Sequence, residues 1–362
     1  MISWSKLSWT LLTINVPIPF DKLYVLILGG YYYRKGDKSI CAKILIIFTL
    51  ITAIAFLSFI LNSTRNLLIF YPILFTFTAI IAGITEKNIN LIQTALLPNI
   101  YYGIISAIIA TCIGSELPGT LSLLSKGLPF IYAPMGFSPT LQVYGTLCIA
   151  WLLISLELKQ KKNINFYIVV FSSILTFNRA TWIFLFLLLL IYNRKYAILG
   201  IIAGIICIVS IDFIHESLLS SSTLESRDDL RVGAAISYWN SNNLIVYLLG
   251  RGSHLTTEDI AERTIWGRQY IENGWDFIFH SYGIIGFIIY TNAVLYFIYI
   301  MIKRGYKKFI LFIIYYYFIE QILTNEYLTS SLSIITSTLL ILSNSEKEII
   351  VSVHFSPRLI KK

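Results

Sequence analysis

CAKILIIFTLITAIAFLSFIL, residues Cys41 to Leu61, carries a single charge, Lys43, near its start. A helix of this length rises about 30 Å, the thickness of a bilayer's hydrocarbon core. A helix that is apolar on every side belongs in a large core or in a membrane. Comparable runs lie near 66–85, 91–113, 139–157, 196–213, 277–301, 308–324 and 327–343. Of the 362 residues, 56% are hydrophobic and only 13% charged, where a soluble domain has roughly 25% charged. Mean hydropathy is +0.73. The expected fold is all-α, a polytopic transmembrane helical bundle.

The net charge of +9 is read as topology and not as nucleic-acid affinity. Its cations gather in short stretches between apolar runs: Arg34–Lys38, Lys159–Lys162, Arg194–Lys195 and Lys303–Lys308. Such clusters stay on the cytoplasmic side. Cys41, Cys112, Cys148 and Cys207 lie in or beside apolar runs without metal-ligand spacing, so neither a disulfide framework nor a zinc site is indicated. The N-terminus has only Lys6 as a charged start and reads as a retained first span.

Two regions leave alternatives. Residues 4–33 are interrupted by Pro17, Pro19 and Asp21, and read either as one kinked span or as two short ones. Residues 165–192 carry Asn178-Arg179 at their middle. A single span there would send one flanking cation cluster outward. A turn between two short helices keeps both inside and leaves Arg179 below the outer surface, in a cavity; the other reading is a snorkelling loop residue. Alternation then places 214–275 outside and gives twelve spans, with eleven as the alternative. The chain divides into an N-terminal bundle (1–213), an extracytoplasmic loop (214–275), C-terminal spans (276–343) and a cytoplasmic tail (344–362). A second outer segment, 114–138, with Pro118, Pro129 and Pro134, reads as re-entrant or interfacial.

The long loop holds the chemistry. Between Lys195 and Lys303 there is no lysine, yet there are five arginines: Arg227, Arg231, Arg251, Arg263 and Arg268. Arginine offers a planar fork that grips phosphate oxygens in pairs, which lysine lacks. An arginine-only outer loop therefore points to an anionic, phosphate-bearing ligand. Within it, Asp228–Trp239 and 257–273 read as helical, with Gly250-Arg251-Gly252 as a turn between them. The following span opens with Glu272, Asp276 and His280 at four-residue spacing, on one helical face. A carboxylate one turn before a histidine can hold its tautomer and raise its basicity; the competing reading is headgroup-level carboxylates and a satisfied polar histidine. Trp239, Trp266 and Trp275 suit sugar stacking or membrane-interface anchoring. Glu320, inside a late span, reads as a hydrogen-bond partner for a neighbour. His215, His254 and His354 lack spaced partners, and neither a nucleophile elbow nor a phosphate-cradling P-loop is present.

Three segments together resemble O-antigen polymerases and the related O-antigen ligases. LTFNRATW (Leu175–Trp182) resembles their arginine-bearing turn between spans. Arg231 followed by Gly250-Arg251-Gly252 resembles their outer-loop pattern, and HSYGIIGFIIY (His280–Tyr290) resembles their histidine before a Gly-Ile-Ile-Gly helix start. The resemblance implies a metal-independent glycosyltransferase of the bacterial inner membrane that needs no cofactor. Its substrates would be undecaprenyl-pyrophosphate-linked oligosaccharides, with a chain-length regulator protein as an expected partner. It implies pyrophosphate contacts from Arg179 and Arg231, with Arg227 as the alternative match and Arg251 of the glycine turn as a further contact, and His280 as base or acceptor-orienting group, supported by Asp276. Ser281 stands where the ligases commonly have asparagine, and alanine follows Asn178-Arg179; the first departure favours polymerase over ligase. A transporter or lipid-linked oligosaccharide flippase is the other class, and the lack of repeated halves argues against it. Asn62–Arg65 carries no carboxylate, unlike the acidic first loop expected of a metal-dependent transferase.

Overall fold

The computed structural model describes residues 4–13, 20–61, 67–124, 128–195, 197–198, 241–252, 273–323, 326 and 329–354. They form a mostly helical assembly. Helices α1 (Trp4–Thr13), α2 (Phe20–Lys35) and α3 (Lys38–Leu61) come first, then α4 (Tyr71–Thr85) and α5 (Ile89–Ile113). An antiparallel hairpin of β1 (Thr120–Leu123) and β2 (Leu128–Pro134) follows, so the expectation of an all-α chain needs this local amendment. Helices α6 (Leu141–Glu157), α7 (Ile164–Leu175), α8 (Arg179–Tyr192), α9 (Leu244–Leu249) and α10 (Gly274–Lys303) come next. Beyond α10 lie α11 (Ile310–Ile314), α12 (Gln321–Leu323) and α13 (Ser331–His354).

Among the described residues, α3, α5 and α10 are long and apolar enough to cross a membrane by length and composition. Their 24, 25 and 30 residues exceed the roughly 20 that a span requires. On α3, Ile46 and Leu50 are each 61% exposed, so an apolar flank faces outward where water would disfavour it. Two of the other expected spans are shorter, α4 with 15 residues and α6 with 17. Pro72 sits at the start of α4, and 67–70 before it form a 3₁₀ turn. The run 308–324 is not one regular helix: Lys307–Phe309 is 3₁₀, and Tyr315–Glu320 is a π-helical stretch between α11 and α12. The expected span 196–213 lies almost wholly outside the described residues.

Asparagine and threonine set several helix starts. Thr140 accepts from Val143 N–H, Asn163 from Phe166 and Asn178 from Ala180 and Thr181, each meeting a backbone donor the first turn leaves open. Central to the packing is α13, whose buried face is lined by small hydroxyl residues. Ser333 and Ser337 donate to the carbonyls of Phe75 and Ala79 on α4, at 2.6 Å and 3.2 Å. Small residues at such contacts let helix backbones approach closely, and their hydroxyls bond across the gap. The region 4–33 resolves into two separate helices, α1 and α2, joined by Trp9 Nε1 donating to the Tyr32 hydroxyl.

Candidate functional site

The first arginine-bearing turn lies between two short helices, one of the two readings that the sequence left open. Helix α7 ends at Leu175, and α8 begins at Arg179. Phe177 takes a positive φ of 46°, a left-handed conformation unusual for a bulky residue and often found where function over-determines the backbone. The Asn178 side chain accepts from the N–H groups of Ala180 and Thr181 at 2.9 Å and 3.3 Å. The turn is pinned from both sides. Tyr315 O–H donates to the Ala180 carbonyl at 3.2 Å, and Thr181 fills the space a Cβ on Gly145 of α6 would need. Arg179 is exposed at the start of α8.

The second arginine turn joins two of the sequence motifs directly. Gly283, with φ of 63°, interrupts α10, so the carbonyls just before it lose their ordinary helical partners. Gly250-Arg251-Gly252 supplies replacements: Arg251 N–H donates to the His280 carbonyl at 2.6 Å, and Gly252 N–H to the Ser281 carbonyl at 3.2 Å. Glycine is required at the joint. A Cβ on Gly250 would lie 2.4 Å from the Ser281 carbonyl carbon, and one on Gly283 2.5 Å from the Gly250 nitrogen. On its other side the turn rests on α3, where Ser58 Oγ donates to the Gly250 carbonyl at 3.2 Å. Arg251 is half-buried, and burial pulls its guanidinium pKa down from the ordinary value. It keeps its charge, because a guanidinium is not deprotonated in proteins.

Asp276 and His280 occupy successive turns of α10 before the kink, and His280 is 1% exposed. Among the described residues no hydrogen bond joins the Asp276 carboxylate to the His280 imidazole; the helical register holds them one turn apart. Asn273 caps this helix, accepting from Trp275 and Asp276 N–H. Trp275 is a packing residue: its indole donates to the Phe318 carbonyl at 2.8 Å and stacks on that ring at 5.4 Å. Arg227, Arg231, Arg263, Arg268 and Glu272 lie outside the described residues, as do His215, His254, Trp239, Trp266, both loop helices and Asn62–Arg65. Beside the kink, an apolar cavity of about 870 Å³ lies between α3, α4, α10 and α13, bordered by Phe48, Thr76, Tyr282, Gly286 and Tyr290.

Near the Arg179 turn, Glu320 is joined by a second carboxylate, Glu326, which sequence reasoning passed over. Glu320, fully buried, accepts from Gln142 Nε2 at 2.8 Å, as a hydrogen-bond role requires. Glu326, also buried, accepts from Thr146 at 2.9 Å, Tyr316 at 3.0 Å and Ser331 at 2.8 Å. The available signal was that Glu320 and Glu326 are the only charges between Lys308 and Glu346.

These elements define a mostly helical chain with membrane-length helices and two arginine turns, one of them locked onto a kinked histidine segment. No family model, curated protein or solved structure matches the chain.

Proposed function

We propose that this protein is a polysaccharide polymerase of the O-antigen type, a polytopic protein of the bacterial inner membrane. It would join undecaprenyl-pyrophosphate-linked repeat units on the outer face, with eleven or twelve spans and 214–275 as its large outer loop. A hydroxyl oxygen of the incoming unit attacks the anomeric carbon of the growing chain. The bond from that carbon to the pyrophosphate oxygen breaks, undecaprenyl pyrophosphate departs, and His280 takes the hydroxyl proton. Arg179, Arg251 and Arg231 (or Arg227) neutralise the departing pyrophosphate in place of a metal, since fixed cations aimed at developing charge lower the barrier most.

One observation carries this reading: the Gly250-Arg251-Gly252 turn is hydrogen-bonded to the His280-Ser281 carbonyls, so two motifs thirty residues apart form one unit. The cavity beside the kink, lined mostly by apolar side chains such as Phe48, Ile278 and Tyr282, suits an isoprenoid chain. With His280 buried, an acceptor reaches the imidazole only after the site opens, so an opening step precedes transfer.

The test is reconstitution of the purified protein in lipid nanodiscs with lipid-linked repeat units and a chelator. A ladder of lengthened chains together with released undecaprenyl pyrophosphate is expected. Transfer occurring only onto a lipid A core acceptor would replace the polymerase by the ligase, and no transfer at all would remove the enzymatic reading.

A further inference from the structure

Glu320 and Glu326 sit among α6, α8, the π-helical stretch Tyr315–Glu320 and the start of α13, with exposures of 0% and 1%. A buried carboxylate is tolerated when paired with a cation, when saturated with hydrogen-bond donors, or when it takes up a proton. Among the described residues neither carboxylate has an ion-pair partner. The two then differ in their donors. Three hydroxyls, from Thr146, Tyr316 and Ser331, converge on both oxygens of Glu326, which suits an ionised carboxylate. Glu320 receives one amide N–H, from Gln142, on Oε1. Its Oε2 is buried without a hydrogen-bond partner.

A second unsatisfied atom lies in the same pocket. Gln321 Oε1 accepts Glu326 N–H at 3.3 Å, which holds the side chain there, while its Nε2 is buried without a hydrogen-bond partner. A carboxylate oxygen buried without a donor bears the desolvation cost of its charge, and taking up a proton removes that cost. The facing groups bear on the choice between a proton and a cation. From α6 come Gln142 and Thr146, from α13 Ser331, and from the π-helical stretch Tyr316, with Tyr315 alongside bonded to α8. The titratable members are the two tyrosines. On α10, whose Trp275 packs on Phe318, Asp276 has the same sign as the glutamates, and Arg179 on α8 is exposed. Among the described residues no group of three or more His, Cys, Asp or Glu side chains is gathered as a metal site, and the hydroxyls here are turned as donors toward Glu326.

We infer that Glu320 and Glu326 form a proton-binding site, with one proton resident on Glu320 and the negative charge on Glu326. Two ionised carboxylates sharing a sealed pocket would repel each other in a low dielectric, and one proton removes that repulsion. The proton can exchange only when the packing of α6, α8 and α13 around the pair opens. The proposal stands apart from the polymerase reading because it concerns the resting protein without substrate.

Infrared difference spectroscopy of the purified full-length protein in nanodiscs at neutral pH tests it, through the carbonyl stretch of a protonated carboxylic acid. Wild type should show that band with the downshift in D₂O of an exchangeable acid proton. Glu320→Gln should abolish the component, and Glu326→Gln should retain it while removing a carboxylate band. If Glu320→Gln does not fold, Glu320→Asp keeps an acid and should move the band's frequency. An acid band unchanged in the Glu320 variants, a band lost in Glu326→Gln, or a band abolished by sodium ions at constant pH would overturn the assignment.

Discussion

The two arginine-bearing turns solve the same problem differently. At 176–179 the chain reverses between two helices through a strained, non-glycine residue, Phe177, and a short polar cap, Asn178, leaving Arg179 exposed. At 250–252 two glycines with positive φ let the backbone press against a third, Gly283, and Arg251 is half-buried by that contact. The first turn is capped by its own Asn178 and pinned by side chains, Tyr315 and Thr181 against Gly145, whereas the second is held by backbone hydrogen bonds to the segment it docks on. An arginine at the exposed start of a helix can reorient without moving its turn. One held by backbone hydrogen bonds to a distant helix moves only with that helix, so Arg251 and the His280 segment should act as one unit.

The largest effect should come from breaking the docked turn. Gly250→Val puts a branched side chain at a positive φ and against the 281–283 backbone, and should cost more than about 3 kcal/mol. Membrane abundance and thermal melting of the purified protein check this. Gly114→Ala is the control: Gly114 also has positive φ, but nothing lies within 4 Å of its Cβ position, so about 1 kcal/mol of backbone strain is all it should show. Equal losses in the two variants would mean that docking adds nothing.

Next in size are the charge-conserving changes. Arg251→Lys and Arg179→Lys keep the positive charge but lose the fork, and each should lower polymerisation rate by about a hundredfold at normal membrane abundance. The two arginines separate in their stability response. Arg251→Lys should also shift the melting curve, because its side chain is half-buried, whereas Arg179→Lys should leave it in place. Full-length polymer from both variants would show that diffuse positive potential is sufficient.

The comparison also explains what the sequence could reveal. The Arg179 turn was legible because its determinants are local: Asn178-Arg179 interrupts an apolar run, and Asn178 can cap α8. The apolar runs at 41–61, 91–113 and 277–301 reappear as α3, α5 and α10, since composition alone decides helices of that length. The union of 250–252 with 280–283 was not legible. It depends on a kink at Gly283 whose freed carbonyls are satisfied from thirty residues away, and no periodicity encodes that. For the same reason the run at 308–324 read as a regular helix, although it winds through 3₁₀ and π-helical turns. The β1–β2 hairpin lay within 114–138, which its three prolines marked as a re-entrant or interfacial segment without pointing to paired strands.

Smaller effects sharpen the contrast further. Asp276→Asn should lower polymerisation a few-fold and leave chain-length distribution recognisable, because the structure places that carboxylate one turn from His280 without a hydrogen bond to it. A loss as deep as that of a His280 variant would reveal a direct contact formed once substrate binds. Smallest of all, Asn178→Ala removes the cap of α8 and should cost about 1 kcal/mol in thermal unfolding, with activity reduced only in proportion.

The most direct test of the account is His280→Ala in cells, with polysaccharide chain length and membrane abundance measured together. The account predicts a protein present at the wild-type level, single repeat units made and exported, and long chains absent. Normal long chains from a stably inserted His280→Ala protein would contradict it.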